Sequence, residues 1–498
     1  MNKEPISKVD TAWLRMEQPT NLMMITGVVG LDRKASYDKL IEAVRRRFLA
    51  FRRFRQKAVI APSGSFWELD EDFEIRGHVR KVALPGRADQ AELEEYVSDL
   101  ASTALDHSRP LWQFHYVENY VDGPVVVMRI HHCYADGIAL VQVFLSLTDA
   151  TPHPPGVASN PDKWKQDRAS ESSIFQRLLE PAREGVDFAV HLGAKLLEEA
   201  RHIIHQPEKA SIYLDEISVL AHELSHTLML PDDPKTLFKG KLGVRKRVAW
   251  AEPVPLEEVR ALSKALACTV NDVLIAAVAG ALRSYMLAQG EVLSADSEIR
   301  ATVPVNLRPL EHAKELGNHF GLVFLSLPVG IANPLERVYR VNERMNELKA
   351  GKQAAVAFGL LSALGMAPLV LQKPALDLLS DKATAVLTNV PGPSAPLFLA
   401  GGKVKDMMFW VPQTGSVGLG VSILSYAGQV FFGLIVDRKL VPDPSRIIRR
   451  FRPELENLLH LAMMLPLQGR PCSYAAENFL ARAVTELDEA GAVRAPEH

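Results

Sequence analysis

The chain holds only three cysteines, Cys133, Cys268 and Cys472, among 498 residues. None has a CxxC partner, which excludes a disulfide scaffold and fits a reducing compartment. Charge of one sign is not in surplus either. Fifty-seven basic against 59 acidic side chains leave a net charge of -2, which excludes a protein built to wrap nucleic acid. The opening residues, MNKEPISKVDTAWLRMEQ, carry charges throughout and lack the apolar core of a signal peptide, so a cytoplasmic location is expected. No GxxxxGK(S/T) phosphate loop occurs, and no GxGxxG follows a strand, since Gly418-Leu419-Gly420 lacks the third glycine. Fixed-period repeats are missing. One uncharged apolar run stands out, residues 354–371, 18 residues interrupted by Gly359, Gly365 and Pro368. That length is at the lower edge of a bilayer span, and the breakers favour a buried or surface-lying helix pair.

What is present suits large α/β cores: 47% of the residues are hydrophobic, and the length suggests two or three domains. We divide the chain into a first mixed half (1–150), a linker with a helical connecting segment (151–240), a second mixed half (241–465) and a polar tail (466–498). In the first half, residues 32–53 have helical periodicity, with Leu40, Ile41, Val44, Phe48 and Phe51 near one face. Arg45, Arg46, Arg47, Arg52, Arg53 and Arg55 make a basic run there. It suits a solvated face, or attraction to anionic lipid or a phosphorylated substrate. Residues 90–104 read as a second helix, 124–132 as a strand entered by a turn, and 137–147 as an apolar helix. In the second half, Pro255 with Glu257 and Glu258 starts a helix, and Thr269-Val270-Asn271-Asp272 forms a capping box for another. Strands are expected at 299–306, 320–327, 385–390, 417–424 and 430–436.

The strongest chemical signal is His131-His132-Cys133-Tyr134-Ala135-Asp136-Gly137, where an apolar strand meets a helix. Strand alternation gives His132 the face of Ile130 and Met128, and His131 that of Arg129. A neutral imidazole on the apolar side suits a general base. Asp136 would orient a histidine or pair with an arginine, and Gly137 would permit a tight bend. Two histidines and one aspartate are too few for a metal site. Elsewhere, His222-Glu223-Leu224-Ser225-His226 satisfies HExxH, but Met229 and Asp232 stand where the longer zinc pattern needs Gly and His, and Pro231 ends the helix soon after. We read it as a chance pattern. Trp112 reads as packing, and Cys133 is not expected to act as a nucleophile.

His131-His132-x-x-x-Asp136-Gly137 resembles the HHxxxDG motif of the CoA-dependent acyltransferase superfamily. The likeness narrows to the bacterial wax ester synthase/diacylglycerol acyltransferase family through Pro110-Leu111-Trp112 (PLW) and Asn271-Asp272 (ND). Asp232-Asp-Pro-Lys-Thr236, Val303-Pro-Val-Asn-Leu-Arg-Pro309, Gly317-Asn318-His319-Phe320-Gly321, Thr388-Asn-Val-Pro-Gly-Pro393 and Val411-Pro-Gln-Thr-Gly-Ser-Val-Gly-Leu419 follow in the family's order. The resemblance implies two chloramphenicol-acetyltransferase-like mixed-sheet halves with an active-site channel between them. It implies that His132 takes a proton from an alcohol that attacks a long-chain acyl-CoA, with fatty alcohol or diacylglycerol as acceptor and no cofactor. It also implies that Asp136 is structural, with Arg308 as its partner, and that Asn271 lies near the site. Thr388, Asn389 and Ser416 are candidates for the oxyanion donor, and turn chemistry explains all three equally well.

Insoluble products imply contact with a membrane or lipid-droplet surface. The apolar 354–371 run, the arginine run, Met23-Met24 and Met407-Met408 would suit lipid contact, and each equally suits core packing. The resemblance leaves two other readings open: an acyltransferase for another hydroxyl, such as a polyketide or sugar lipid, or a non-catalytic lipid-droplet coat on the same fold. Retention of His132 and Asp136 argues against the second. Oligomeric state is open.

Overall fold

The computed structural model describes residues 3–61, 64–152, 230–306, 318, 320–350, 380–413 and 415–464. Arg308, the HExxH pattern, the apolar 354–371 run and the polar tail lie outside the described residues.

Short aliphatic runs build the first half. A small antiparallel sheet joins β1 (Glu4–Pro5), β3 (Gln56–Ala61) and β4 (Gly64–Leu69). The main sheet is centred on β7 (Val125–His131), whose residues are all buried, as in a strand covered on both faces. β2 (Met24–Leu31) and β6 (Trp112–Val117) flank it antiparallel, and β5 (Val79–Val82) runs parallel beyond β6. Helix α1 (Lys8–Met16) is capped by Ser7, α3 is the single turn Ile75–His78, and α4 (Gln90–Ala101) starts in a capping box of Asp89 and Glu92. Helix α5 (Gly137–Leu147) has the expected bounds. The helix expected over 32–53 is broken. It becomes α2 (Tyr37–Ala43), a π-helical turn at Val44–Phe48 and a 3₁₀ turn at Arg52–Arg55. Residues 32–36 instead turn out of β2, and Ser36 caps α2.

The second half is a seven-stranded mixed sheet. β10 (Ile299–Asn306), β12 (Ala385–Pro391) and β15 (Leu419–Tyr426) run parallel, and β11 (Phe320–Leu327) closes one edge. β16 (Gln429–Asp437) leads to β8 (Lys246–Trp250) and β9 (Val254–Pro255) on the other side. Helices α6 (Leu256–Ala265), α7 (Val270–Ala288), α8 (Pro334–Ala350) and α9 (Ser445–Met464) follow the same core. Among the described residues α7 alone is long and apolar enough to cross a membrane. It is buried on Val273 to Leu282 as the central core helix.

Two boundaries differ from expectation. β13 (Phe398–Leu399) and β14 (Gly402–Trp410) leave the second half and pair in the first sheet, β14 lying antiparallel on β2. Phe238 is buried in the second core and Asp233 accepts the Arg300 N–H, so residues 231–240 belong to the second half, not the linker.

A polar stripe on α4 holds the halves together. Ser102, Ser98 and Glu94 accept the N–H groups of Lys246, Val248 and Trp250 along the free edge of β8. Four helical residues rise about 6 Å and two strand residues about 6.6 Å, so every fourth helix position meets every second strand position. The edge that could template aggregation is thereby covered. Ser98→Ala leaves the buried Val248 N–H without its acceptor. We expect it to cost about 1–3 kcal/mol, read as a lower denaturant midpoint at unchanged slope. Ser98→Thr should keep most of that stability, and an unshifted midpoint for Ser98→Ala would contradict this role.

Candidate active site

β7 ends at His131, and the chain turns through Cys133 and Tyr134 into α5. The PLW segment frames this turn: His131 N–H donates to Leu111 O at 3.0 Å, and Tyr134 Oη accepts Leu111 N–H at 3.0 Å. Trp112 is fully buried, with its indole N–H on Phe54 O at 2.8 Å, so it packs as expected.

Both histidines are buried, and α1 with the residues after it holds them. Asp10, Trp13 and Glu17 recur at i, i+3 and i+7, one side of a helical path. Trp13 stacks on the His132 ring at 4.3 Å between centroids. Asp10 accepts from Asn318 Nδ2 at 2.7 Å, and that amide also donates to His132 O at 2.8 Å. Glu17 Oε2 lies 3.1 Å from His131 Nε2 and accepts Met23 N–H at 3.2 Å, while Met23 O accepts His132 N–H at 2.7 Å. His131 Nδ1 faces the Cys133 N–H at 3.1 Å, so its ring proton belongs on Nε2, toward Glu17. None of these roles was read from the sequence. The available signal was an Asp on the buried side of a nine-residue helix and a Glu just past its end.

Burial lowers the His132 pKa to about 4, against the opposing charge of Asp136, so its imidazole is neutral at pH 7. Burial likewise lowers His131. Burial alone would raise the Glu17 carboxyl, but hydrogen bonds from His107 and His131 and their charge hold it well below the usual carboxylate range. The Cys133 thiol is pushed far up by burial, the opposite of a nucleophile's environment.

The other candidates separate. Asp136 is the N-cap of α5, accepting Ala139 N–H at 2.8 Å; the pairing expected with Arg308 lies outside the described residues. Gly137 makes no left-handed bend. A Cβ built on it would meet nothing within 4 Å, so glycine there leaves space, which corrects the expected reason for it. Asn271 Oδ1 accepts from Asn389 Nδ2 at 2.7 Å. Asp272 and Thr269 make the expected capping box. Strand alternation in β12 puts Thr388 and Asn389 on opposite faces, and only Thr388, with Val390, lines the cavity described next. The Ser416 hydroxyl donates to Asp381 Oδ1 at 2.8 Å, so its proton is engaged elsewhere than on an oxyanion.

Next to the motif is a narrow apolar cavity of about 70 Å³. Ile130 before the motif turn and Gly137 after it both line the cavity. It runs between α5 and the first sheet on one side and β12 and β15 of the second half on the other, with Thr388 as its one polar side chain. The suggested lipid-facing methionines lie elsewhere: Met23, Met24, Met407 and Met408 are buried in the packed interior. Five arginines of the basic run have carboxylate partners within the chain, Glu42 for Arg45 and Arg46, Asp149 for Arg47, and Glu4 for Arg52 and Arg53.

Two mixed-sheet halves meeting over a buried histidine pair and an apolar cavity place the chain in the class of chloramphenicol-acetyltransferase-like acyl-transfer enzymes. A family model for the wax ester synthase/diacylglycerol acyltransferase catalytic domain matches residues 6–274, and one for the family's C-terminal domain matches residues 316–459. The chain belongs to the wax ester synthase/diacylglycerol acyltransferase family and is an acyltransferase, taking an acyl-CoA and an acyl acceptor. It is 26% identical over 468 residues to the probable diacylglycerol O-acyltransferase tgs1 of Mycobacterium tuberculosis, covering 92% of this chain and 96% of that protein. To tgs2 of the same organism it is 28% identical over 398 residues, covering 79% and 83%. Among solved structures, the wax ester synthase/diacylglycerol acyltransferase from Marinobacter aquaeolei VT8 superposes with a TM-score of 0.65 at 23% identity, covering 92% of this chain and all of that one. The first condensation domain of the calcium-dependent antibiotic synthetase shares the fold, with a TM-score of 0.57 at 13% identity, covering 93% and 98%.

Proposed function

We propose that the protein esterifies a fatty alcohol or a diacylglycerol with a long acyl chain from acyl-CoA, using His132 as general base. One observation carries this reading: the residues on both sides of the motif turn line an apolar cavity between the halves. An acyl chain seated there brings its thioester to the motif, and the CoA moiety stays outside. Neutral His132 takes the hydroxyl proton as the alcohol oxygen attacks the thioester carbon. The tetrahedral oxyanion then collapses, the C–S bond breaks and CoA thiolate leaves, taking up a proton. The step balances without a cofactor or an acyl-enzyme. Thr388, on the cavity face of its strand, is our candidate for the oxyanion donor, its hydroxyl exchanging the long contacts it makes with Val421 O and Ser422 Oγ, at 3.4 and 3.3 Å, for the oxyanion. Asn271 and Asn389 form a hydrogen-bonded pair behind it, and Asp136 holds the start of α5.

Because both products are insoluble, we place the enzyme in the cytoplasm, bound peripherally to the inner membrane or to lipid inclusions. The arginine run gives limited support, since most of it is paired within the chain.

Thiol release from palmitoyl-CoA tests the reading, with hexadecanol, dipalmitoylglycerol or no acceptor. Acceptor-dependent release is expected, and the better acceptor identifies the product. Equal release without acceptor would show a thioesterase instead. No release by folded protein would point to another hydroxyl acceptor.

A further inference from the structure

His132 is the side chain that must gain a charge during the reaction, and at 4% exposure it does so out of water. A buried imidazolium is costly, so whatever steadies it as it forms speeds the proton transfer. Asp136 acts on the ring by charge from the start of α5, and His131 opposes it from the same turn. The two nearby carboxylates on the α1 side are engaged elsewhere. Asp10 accepts the backbone N–H and the amide of Asn318 at 3.2 and 2.7 Å, and Glu17 faces His107 and His131. The Cys133 thiol beside them stays protonated.

What the imidazole meets face to face is Trp13, with centroids 4.3 Å apart and planes inclined by 21°. Indole is the aromatic ring that attracts a cation best, within about 6 Å of its centroid and more strongly where water is excluded. A parallel stack leaves the ring nitrogens pointing outward in their own plane, so the base keeps its lone pair while its face is covered. The stack is also held in place. Asp10 and Trp13 lie three residues apart on one face of α1, and Asn318 joins that Asp10 to His132 O. Trp13 packs with Val9, Ala12, Met16 and Met23, and Leu322 of the second half lies against them. His78 makes a similar stack on Trp112, at 4.5 Å and 27°, so the contact alone is ordinary packing. What differs at His132 is the charge that the reaction places on the ring.

We propose that Trp13 is a positioning residue acting through His132, its indole face held ready for the imidazolium that exists only while the hydroxyl proton is on the ring. The proposal rests on the general-base reading above. The neutral ring gains little from that face and the cation gains more. The stack therefore favours the transition state over the ground state, which raises kcat.

The test replaces Trp13 alone with mono-, di- and trifluorinated tryptophan, which withdraw charge from the ring face at nearly constant shape. Single-turnover thiol release from palmitoyl-CoA with hexadecanol should slow in even steps, about tenfold in all. The half-saturating palmitoyl-CoA concentration and the denaturant midpoint should stay where they are. In His132→Ala the dependence on fluorine should vanish, and Trp13→Phe should fall between wild type and Trp13→Leu. One rate for all the fluorinated forms, or losses that follow the midpoint, would overturn the proposal while leaving His132 as base. Should the wild type release no thiol with any acceptor, the reading of function fails instead, and the His132 titration midpoint followed by NMR decides. Stepwise lowering with fluorination would then uphold the stack, and an unmoved midpoint would overturn it.

Discussion

His132→Ala should lower acceptor-dependent thiol release by about 10²–10⁴, the usual contribution of a positioned base to proton transfer from a hydroxyl. The same residue predicts the acid limb. Its pKa is held at about 4 in the folded protein against ~6.5 unfolded, so kcat/KM should stay level from pH 8 to pH 6 and fall only toward pH 4. Stability has the matching dependence. As pH drops below ~6.5 the unfolded chain takes up this proton before the folded one does. Stability is therefore lost between pH ~6.5 and about 4, in total about 3 kcal/mol from this group. Denaturation midpoints at pH 7 and pH 5 should accordingly lie closer together in His132→Ala than in the wild type. A variant with full activity, or with an unchanged acid slope, would remove His132 from this role.

His131→Ala should do the reverse, harming the fold first. Its imidazole faces the partly buried Glu17 carboxylate at 3.1 Å and accepts the Cys133 N–H. Truncation leaves that carboxylate with His107 as its one remaining imidazole partner and the amide without an acceptor. A loss of about 1.5–3 kcal/mol is expected, as when a hydrogen bond to a charged group is removed. Because the Glu17 carboxyl is lowered, its stabilisation is present above the ordinary carboxylate range and fades as pH falls below it. The loss should therefore be largest at neutral pH. Adding Glu17→Gln to His131→Ala removes the stranded charge and should recover part of the loss, a coupling that a double-mutant cycle measures. Independent, additive effects would mean that Glu17 and His131 do not act as a unit.

Much of this fold is legible in the sequence where local pattern and tertiary need agree. β10, β11 and α5 have the expected bounds because β-branched runs and a capping residue mark them. The helix at 32–53 failed for the opposite reason: its apolar spacing is equally served by an α turn, a π turn and a 3₁₀ turn, and packing against α5 selects among them. β14 was invisible as a strand of the first sheet, since no local feature says which sheet a strand will join. At the site, His131, His132 and Asp136 show themselves by adjacency, whereas Asp10, Trp13, Glu17 and Asn318 reach the histidines only through folding. Thr388 and Asn389, equivalent as residue types, are told apart by which face of β12 each occupies.

The strand exchange has a consequence for biosynthesis. Until β14 arrives, β2 is a bare edge of the first sheet, offering a row of unpaired backbone groups. Leu31 ends β2 and Trp410 ends β14, so a ribosome adding ~5–20 residues per second leaves that edge open for roughly 20–75 s. During that interval the motif turn already exists but its sheet is incomplete. The nascent chain must be shielded from its neighbours on a polysome, and a truncated product ending before β14 retains the histidine pair on a sheet that invites intermolecular pairing.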